Sequence, residues 1–226
     1  MTEHAIVVPR TARYHTIGPT HGFPRELWIV CHGYGQLADR FLQQFAALDD
    51  GTRLIVAPEG LSRFYLDPIP ERRNQRDPRV GASWMTRESR DSEIVDYVAY
   101  LDLLAGELKH HLTGASPRIV VLGFSQGVAT VCRWLGASEF RADQVALWAG
   151  SIPPELDLGA WAARLHGASI TLLAGESDEL VTPKVAAAEA ERLSEAGVAF
   201  TLQRFPGGHV VDPDALETLA LSFAGS

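Results

Sequence analysis

Lysine is almost missing from this chain of 226 residues: 18 of its 20 cationic side chains are arginine, leaving only Lys109 and Lys184. The cations are outnumbered by 28 carboxylates, for a formal charge of −8. That balance argues against nucleic acid or an anionic membrane as the main partner, because both are held by basic surfaces. Cysteine is equally scarce. Cys31 lies in an apolar run and Cys132 in a helical pattern, so both read as separate core thiols rather than a bridge or a redox pair. No apolar run approaches the length that spans a bilayer. Met1-Thr2-Glu3-His4 lacks the basic-then-apolar pattern of a secretory leader, and a cytoplasmic protein is expected. No histidine, cysteine or carboxylate cluster has metal-ligand spacing, so neither a metal nor a cofactor is expected. No repeat, low-complexity tract or linker divides the chain, and residues 1–226 read as one domain.

What is present is an ordinary globular composition, 46% hydrophobic and 21% charged, laid out in alternating patterns. Short apolar runs predict strands at 27–31, 53–57, 118–122, 144–149, 169–174 and 200–205. Helical spacing predicts helices at 38–48, 91–111, 126–135, 161–165, 183–196 and 212–223. In the longest of these, Ile94, Val95, Val98, Leu101, Leu104 and Leu108 form the expected buried stripe. Segments 5–8 and 13–17 suit a hairpin at one edge, and residues 60–90 read as an irregular active-site lip. Strands alternating with helices call for an α/β fold, a mostly parallel central sheet with helices on both faces.

In such a sheet, reactive groups gather beyond the carboxyl ends of the strands. After the strand at 118–122 comes Gly123-Phe124-Ser125-Gln126-Gly127, then a helix that starts with small residues. The five-residue pattern alone is weak in a chain with 20 glycines. Between a strand and a helix it is a nucleophile elbow, a turn so sharp that the serine takes unfavourable dihedrals and only small neighbours fit. After the strand at 169–174 comes Gly175-Glu176-Ser177-Asp178-Glu179, and after the last strand Pro206-Gly207-Gly208-His209. Serine, acid and histidine thus follow in the chain order of an α/β-hydrolase triad.

The chemistry explains why three groups are needed. A serine hydroxyl is a poor nucleophile at neutral pH, so His209 must take its proton and return it to the leaving group. His209 needs a carboxylate to fix its tautomer, and Asp178 is favoured because its short side chain follows the turn closely. Glu176 and Glu179 share the loop and stay open as alternatives. An oxyanion needs two N–H donors: Gln126, just after the serine, and Tyr34, from the glycine-rich turn Gly33-Tyr34-Gly35. The bland reading of that turn is a tight strand-to-helix connection. His32 reads as a packed residue that shapes the loop, and Arg72, Arg73, Arg76 and Arg79 as a solvated surface.

The whole pattern resembles the phospholipase/carboxylesterase family of α/β-hydrolases, which includes small bacterial carboxylesterases and acyl-protein thioesterases. The matching residues are His32-Gly33-Tyr34-Gly35, Ala82-Ser83-Trp84, Gly123 to Gly127, Gly175 to Asp178 with Val181-Thr182-Pro183, and Gly208-His209. The resemblance implies a Ser125, Asp178, His209 triad with Tyr34 and Gln126 as oxyanion donors. It places Trp84 on the acyl side of the pocket, with Gly33 and Val181 as further substrate contacts. Two departures stand out: Val128 occupies the place of the family's second glycine, and Trp84-Met85-Thr86 replaces its usual Trp-Phe-Asp. No insertion is long enough for a large cap domain, so the expectation is a serine carboxylesterase for small soluble esters of short to medium acyl chains. Thioester hydrolysis is the alternative within the family, and a non-hydrolytic ligand-binding protein the alternative outside it. The expected partner is a small-molecule ester, and a homodimer is compatible with this reading.

Overall fold

A computed structural model describes the whole chain except Glu3, His21, Asn74, Thr113, Gly225 and Ser226. Its strands are β1 (Tyr14–Ile17), β2 (Glu26–Cys31), β3 (Arg53–Pro58), β4 (Ser62–Tyr65), β5 (Val80–Ser83), β6 (Arg118–Phe124), β7 (Gln144–Trp148), β8 (Ser169–Gly175) and β9 (Thr201–Phe205). The helices are α1 (Ala38–Leu42), α2 (Ile69–Arg72), α3 (Arg90–His111), α4 (Gln126–Ala137), α5 (Leu158–Arg164), α6 (Pro183–Glu195) and α7 (Pro213–Ala224).

Seven strands make the main sheet, in the order β1-β3-β2-β6-β7-β8-β9. All neighbours run parallel except β1, which lies antiparallel on β3 with Tyr14 opposite Pro58. The parallel strands are continuous apolar runs because both of their faces are covered. In β2, Leu27, Ile29 and Cys31 point into one core, packed by residues of α3, α4, α5 and α6. Trp28 and Val30, one residue out of step, point into the other, packed by α1 and α7. The expected α/β architecture is therefore present, with helices on both faces of a mostly parallel sheet.

Local chemistry sets the helix ends. Thr182 caps α6 by accepting from Val185 N–H, Pro183 sits at its first position, and Gly197 takes φ +71° just beyond it. Asp157 caps α5 by accepting from Ala160 N–H at 2.9 Å.

Four expectations need correcting. The segment 38–48 is a short α1 followed by a 3-10 turn, Gln43–Leu48. Residues 60–90 are not irregular throughout: β4 and β5 pair antiparallel as a separate two-stranded sheet, with Ser62 opposite Ser83. Residues 5–8 form no strand; Ile6 and Val7 are exposed, leaving β1 alone at the edge. Within α3 the buried stripe is Tyr97, Leu101, Leu104, Ala105 and Leu108, and Val95 faces outward. Among the described residues, no helix is long and apolar enough to cross a membrane.

Candidate active site

Ser125 joins β6 to α4 with φ 54° and ψ −116°, a conformation that non-glycine residues avoid. The packing around it shows why its neighbours are small. A Cβ on Gly123 would lie 2.4 Å from Gly127 O, and one on Gly127 would lie 2.1 Å from Cys31 O. Gly150, beyond β7, completes the wall: a Cβ there would lie 2.4 Å from Ser125 O and 2.5 Å from Val128 Cγ2. Val128 thus fills the space that Gly150 leaves empty. The turn is fixed further by Ser125 N–H, which donates to Trp148 O at 2.9 Å.

The loops after β8 and β9 bring the other two groups to the same rim. Ser177 N–H donates to Gly207 O at 2.8 Å and Glu176 N–H to Phe205 O at 3.0 Å, tying the two loops together. This contact needs Gly175, whose Cβ would come within 2.6 Å of both Gly207 O and Gly208 O. Past His209, Val210 O accepts from Trp148 Nε1 at 3.0 Å.

Ser125, His209 and Asp178 form a continuous hydrogen-bonded chain. His209 Nε2 is 2.9 Å from Ser125 Oγ, and Nδ1 is 2.8 Å from Asp178 Oδ2. A carboxylate only accepts, so Nδ1 carries the hydrogen and Nε2 is free to accept from the serine. Asp178 is 2% exposed, and its Oδ1 accepts from Leu180 and Val181 N–H at 2.8 Å each. Glu176 and Glu179 are exposed and take no part. Val181 therefore enters the site through its backbone, as a support for Asp178. Such a chain can move a proton from a hydroxyl to an imidazole held in one tautomer.

The loop 32–36 faces the elbow. Gly33 is packed so closely that an added Cβ would lie 3.1 Å from Ser125 Cβ and from Phe124 Cδ1. Its N–H donates to Gln36 Oε1 at 2.8 Å, and Gly35 N–H to Ala82 O at 2.8 Å. Between them, Tyr34 N–H has no hydrogen-bond partner among the described residues, and neither does Gln126 N–H. The Tyr34 ring is exposed and lies 5.1 Å from Phe64 of β4.

Trp84 is not on an open surface. It is 1% exposed, in the core beside Tyr97, and its Nε1 donates to His32 O at 2.8 Å. The ring expected along the acyl chain is thus a prop beneath the 32–36 loop. The Gln126 side chain holds the neighbouring backbone: Oε1 accepts from Trp84 N–H at 3.1 Å and Nε2 donates to Met85 O at 2.8 Å.

Two supports escaped the sequence reading. Gln36 offers only adjacency to a glycine turn as a signal. Glu59, an acid at the carboxyl end of β3, was a detectable position. Its buried carboxylate accepts from Arg13, Arg63 and Ala38 N–H. Burial opposes its charge, but the arginine hydrogen bonds outweigh that and hold its pKa below the ordinary glutamate value. Burial pushes the Cys31 and Cys132 thiols well above their usual value, and both are free. Neither is a thiolate nucleophile. Among the described residues, no group of three histidine, cysteine or carboxylate side chains is arranged to hold a metal ion.

The fold and the strand-end site define a hydrolase of the α/β type. The model of the phospholipase/carboxylesterase family matches residues 14–224, and the chain belongs to that family. Solved structures share the fold at low identity. Acyl-protein thioesterase 2 from Zea mays superposes with TM-score 0.70 at 16% identity, over 95% of this chain and 99% of that one. A carboxylesterase from Mesorhizobium loti gives 0.66 at 23% identity, over 95% of each chain. A phospholipase/carboxylesterase from Dyadobacter fermentans gives 0.65 at 18%, over 96% and 99%. No curated protein matches significantly by sequence.

Proposed function

We propose that this chain is a single-domain serine carboxylesterase of the cytoplasm, acting on small soluble esters of short to medium acyl chains. The observation that carries the reading is the unbroken chain from Ser125 Oγ through His209 to the buried carboxylate of Asp178. His209 removes the serine proton as Oγ attacks the ester carbonyl, and the imidazolium is stabilised by Asp178. The tetrahedral oxyanion is received by the unpartnered N–H groups of Tyr34 and Gln126. Collapse expels the alcohol, protonated by His209, and leaves an acyl group on Ser125. Water, activated by the same imidazole, then releases the acid. Leu180 and Val210 are exposed apolar side chains on the two loops that carry Asp178 and His209, which suits a short acyl chain in an open site.

Turnover of p-nitrophenyl acetate is the test. Ser125→Ala is expected to abolish it and to abolish labelling by a fluorophosphonate while the circular dichroism spectrum stays unchanged. Full activity in that variant, or no activity in the wild type across acyl chains of two to ten carbons, overturns the reading. The same site attacks thioesters by the same steps, and rates on an ester and a thioester of one acyl group decide which leaving atom is preferred.

A further inference from the structure

The peptide joining Gly33 to Tyr34 is a rigid trans plane, so its C=O and N–H point in opposite directions. The carbonyl lies 2.7 Å from His32 Nδ1 and accepts from Gln36 N–H at 3.3 Å. The N–H on the far edge is the one without a partner among the described residues. The Gly33 end of this plane rests against the side chain of Ser125. Whatever fixes the carbonyl therefore fixes the direction of the Tyr34 N–H.

The imidazole of His32 is itself fixed from behind. Gly60 N–H donates to its Nε2 at 3.0 Å, so Nε2 holds a lone pair and Nδ1 holds the hydrogen. The ring is fully buried, 5.1 Å from the Trp84 ring and 6.5 Å from the Phe41 ring. Burial lowers its pKa and favours the neutral form that this pattern requires.

We propose that His32 is a positioning residue for the oxyanion: its Nδ1–H grips the Gly33 carbonyl so that Tyr34 N–H is presented to the tetrahedral intermediate. The proposal rests on the reading of Ser125 as an esterase nucleophile. A carbonyl that accepts a hydrogen bond also polarises its own peptide, making the N–H a stronger donor. The gain grows as negative charge develops on the substrate oxygen, so it falls on kcat rather than on KM.

Two substitutions separate positioning from packing. His32→Asn keeps an amide N–H near the place of Nδ1, whereas His32→Gln reaches toward Gly60 and leaves the Gly33 carbonyl without this donor. On p-nitrophenyl acetate, His32→Gln is expected to lower kcat roughly 10- to 100-fold, with KM within about threefold of wild type. His32→Asn is expected to recover most of that loss. Wild-type kcat in both variants overturns the proposal, and so do equal losses in both, which would reduce His32 to filling space. If neither variant folds, long-range 1H–15N correlation spectra of the wild type decide. A protonated Nδ1 with a bare Nε2 supports the proposal, and the opposite tautomer or an imidazolium at neutral pH overturns it. A wild type with no Ser125-dependent turnover overturns the functional reading and the proposal with it. Ser125-dependent turnover that is indifferent to His32 overturns the proposal alone.

Discussion

The elbow at 123–127 and the loop at 32–36 pack against each other, yet they are held by different means. At the elbow, the backbone is shaped by what is missing: Gly123, Gly127 and Gly150 let neighbouring carbonyls approach to distances at which no Cβ fits. At the loop, the backbone is shaped by what is added. Side chains of His32 and Gln36 bond Gly33, Trp84 bonds His32 O, and Gly60 N–H bonds the imidazole. Exclusion by contact is unforgiving, because a van der Waals wall cannot yield without moving backbone. A hydrogen-bonded loop can yield and remain folded, losing alignment before it loses stability. The elbow should therefore report damage as unfolding and the loop as lost rate.

The largest expected effect leaves both regions in place. Asp178→Asn retains the shape of the loop but presents an amide to His209 Nδ1 and favours the wrong tautomer. The expected loss is up to about 10⁴-fold in kcat on p-nitrophenyl acetate, with little change in melting temperature. A loss below tenfold would remove Asp178 from the proposed role. Next comes Gly127→Ala at the elbow, where the new Cβ meets Cys31 O. Roughly 3 kcal/mol or more of stability should go, a fall of roughly 6–12 °C in thermal melts, with activity falling alongside. Gly33→Ala sharpens the contrast. Its Cβ is only tight, at 3.1 Å from three side-chain atoms, so a cost of about 1 kcal/mol and a Tm change of roughly 2–4 °C are expected. Activity should fall at least about tenfold through the misplaced Tyr34 N–H. If both glycine variants lose stability and rate in the same proportion, the distinction between the two regions fails.

The smallest effect concerns Glu59, one residue before the Gly60 that anchors His32. Its pKa is lower in the folded state than in the unfolded one. Its contribution is therefore present above the ordinary glutamate value of about 4.3 and is lost as pH falls through the lower folded value. Arg63, half-exposed, accounts for part of this. Arg63→Ala should cost no more than about 1 kcal/mol at pH 7. The difference from wild type should close as pH falls below the ordinary glutamate range and Glu59 takes up its proton. A difference that persists unchanged in acid would assign the arginine a packing role instead.

The sequence was most readable where apolar runs alternate and where glycine marks a steric limit. Segments such as 118–122 and 169–174 identify interior strands because a doubly covered strand reads as a near-continuous apolar run. The order Ser125, Asp178, His209 was readable because each follows a strand directly. The choice among Glu176, Asp178 and Glu179 needed coordinates, since it depends on which carboxylate turns inward to the N–H groups of Leu180 and Val181. The β4–β5 pair was hidden for a different reason. Its strands are short, β4 is half-exposed, and β5 contains Gly81, so neither carries the periodicity of a buried face. The role of Gln126 as a brace for 84–85 was also hidden, because the same residue was already explained by its backbone.

The β4–β5 hairpin is bonded to the 32–36 loop near its base, by Gly35 N–H to Ala82 O and Ala82 N–H to Gln36 O at 2.8 and 3.1 Å, and Phe64 packs on the Tyr34 ring. Its far end is closed separately, by Asp67 accepting from the backbone and side chain of Arg79. The inner clasp thus sets the loop, and the outer one closes the hairpin. Beyond the outer clasp no bond among the described residues reaches the 32–36 loop, so that stretch can change in length or chemistry as a lineage meets new substrates. The register that holds the proposed oxyanion donor, Tyr34 N–H, would be inherited intact beside it.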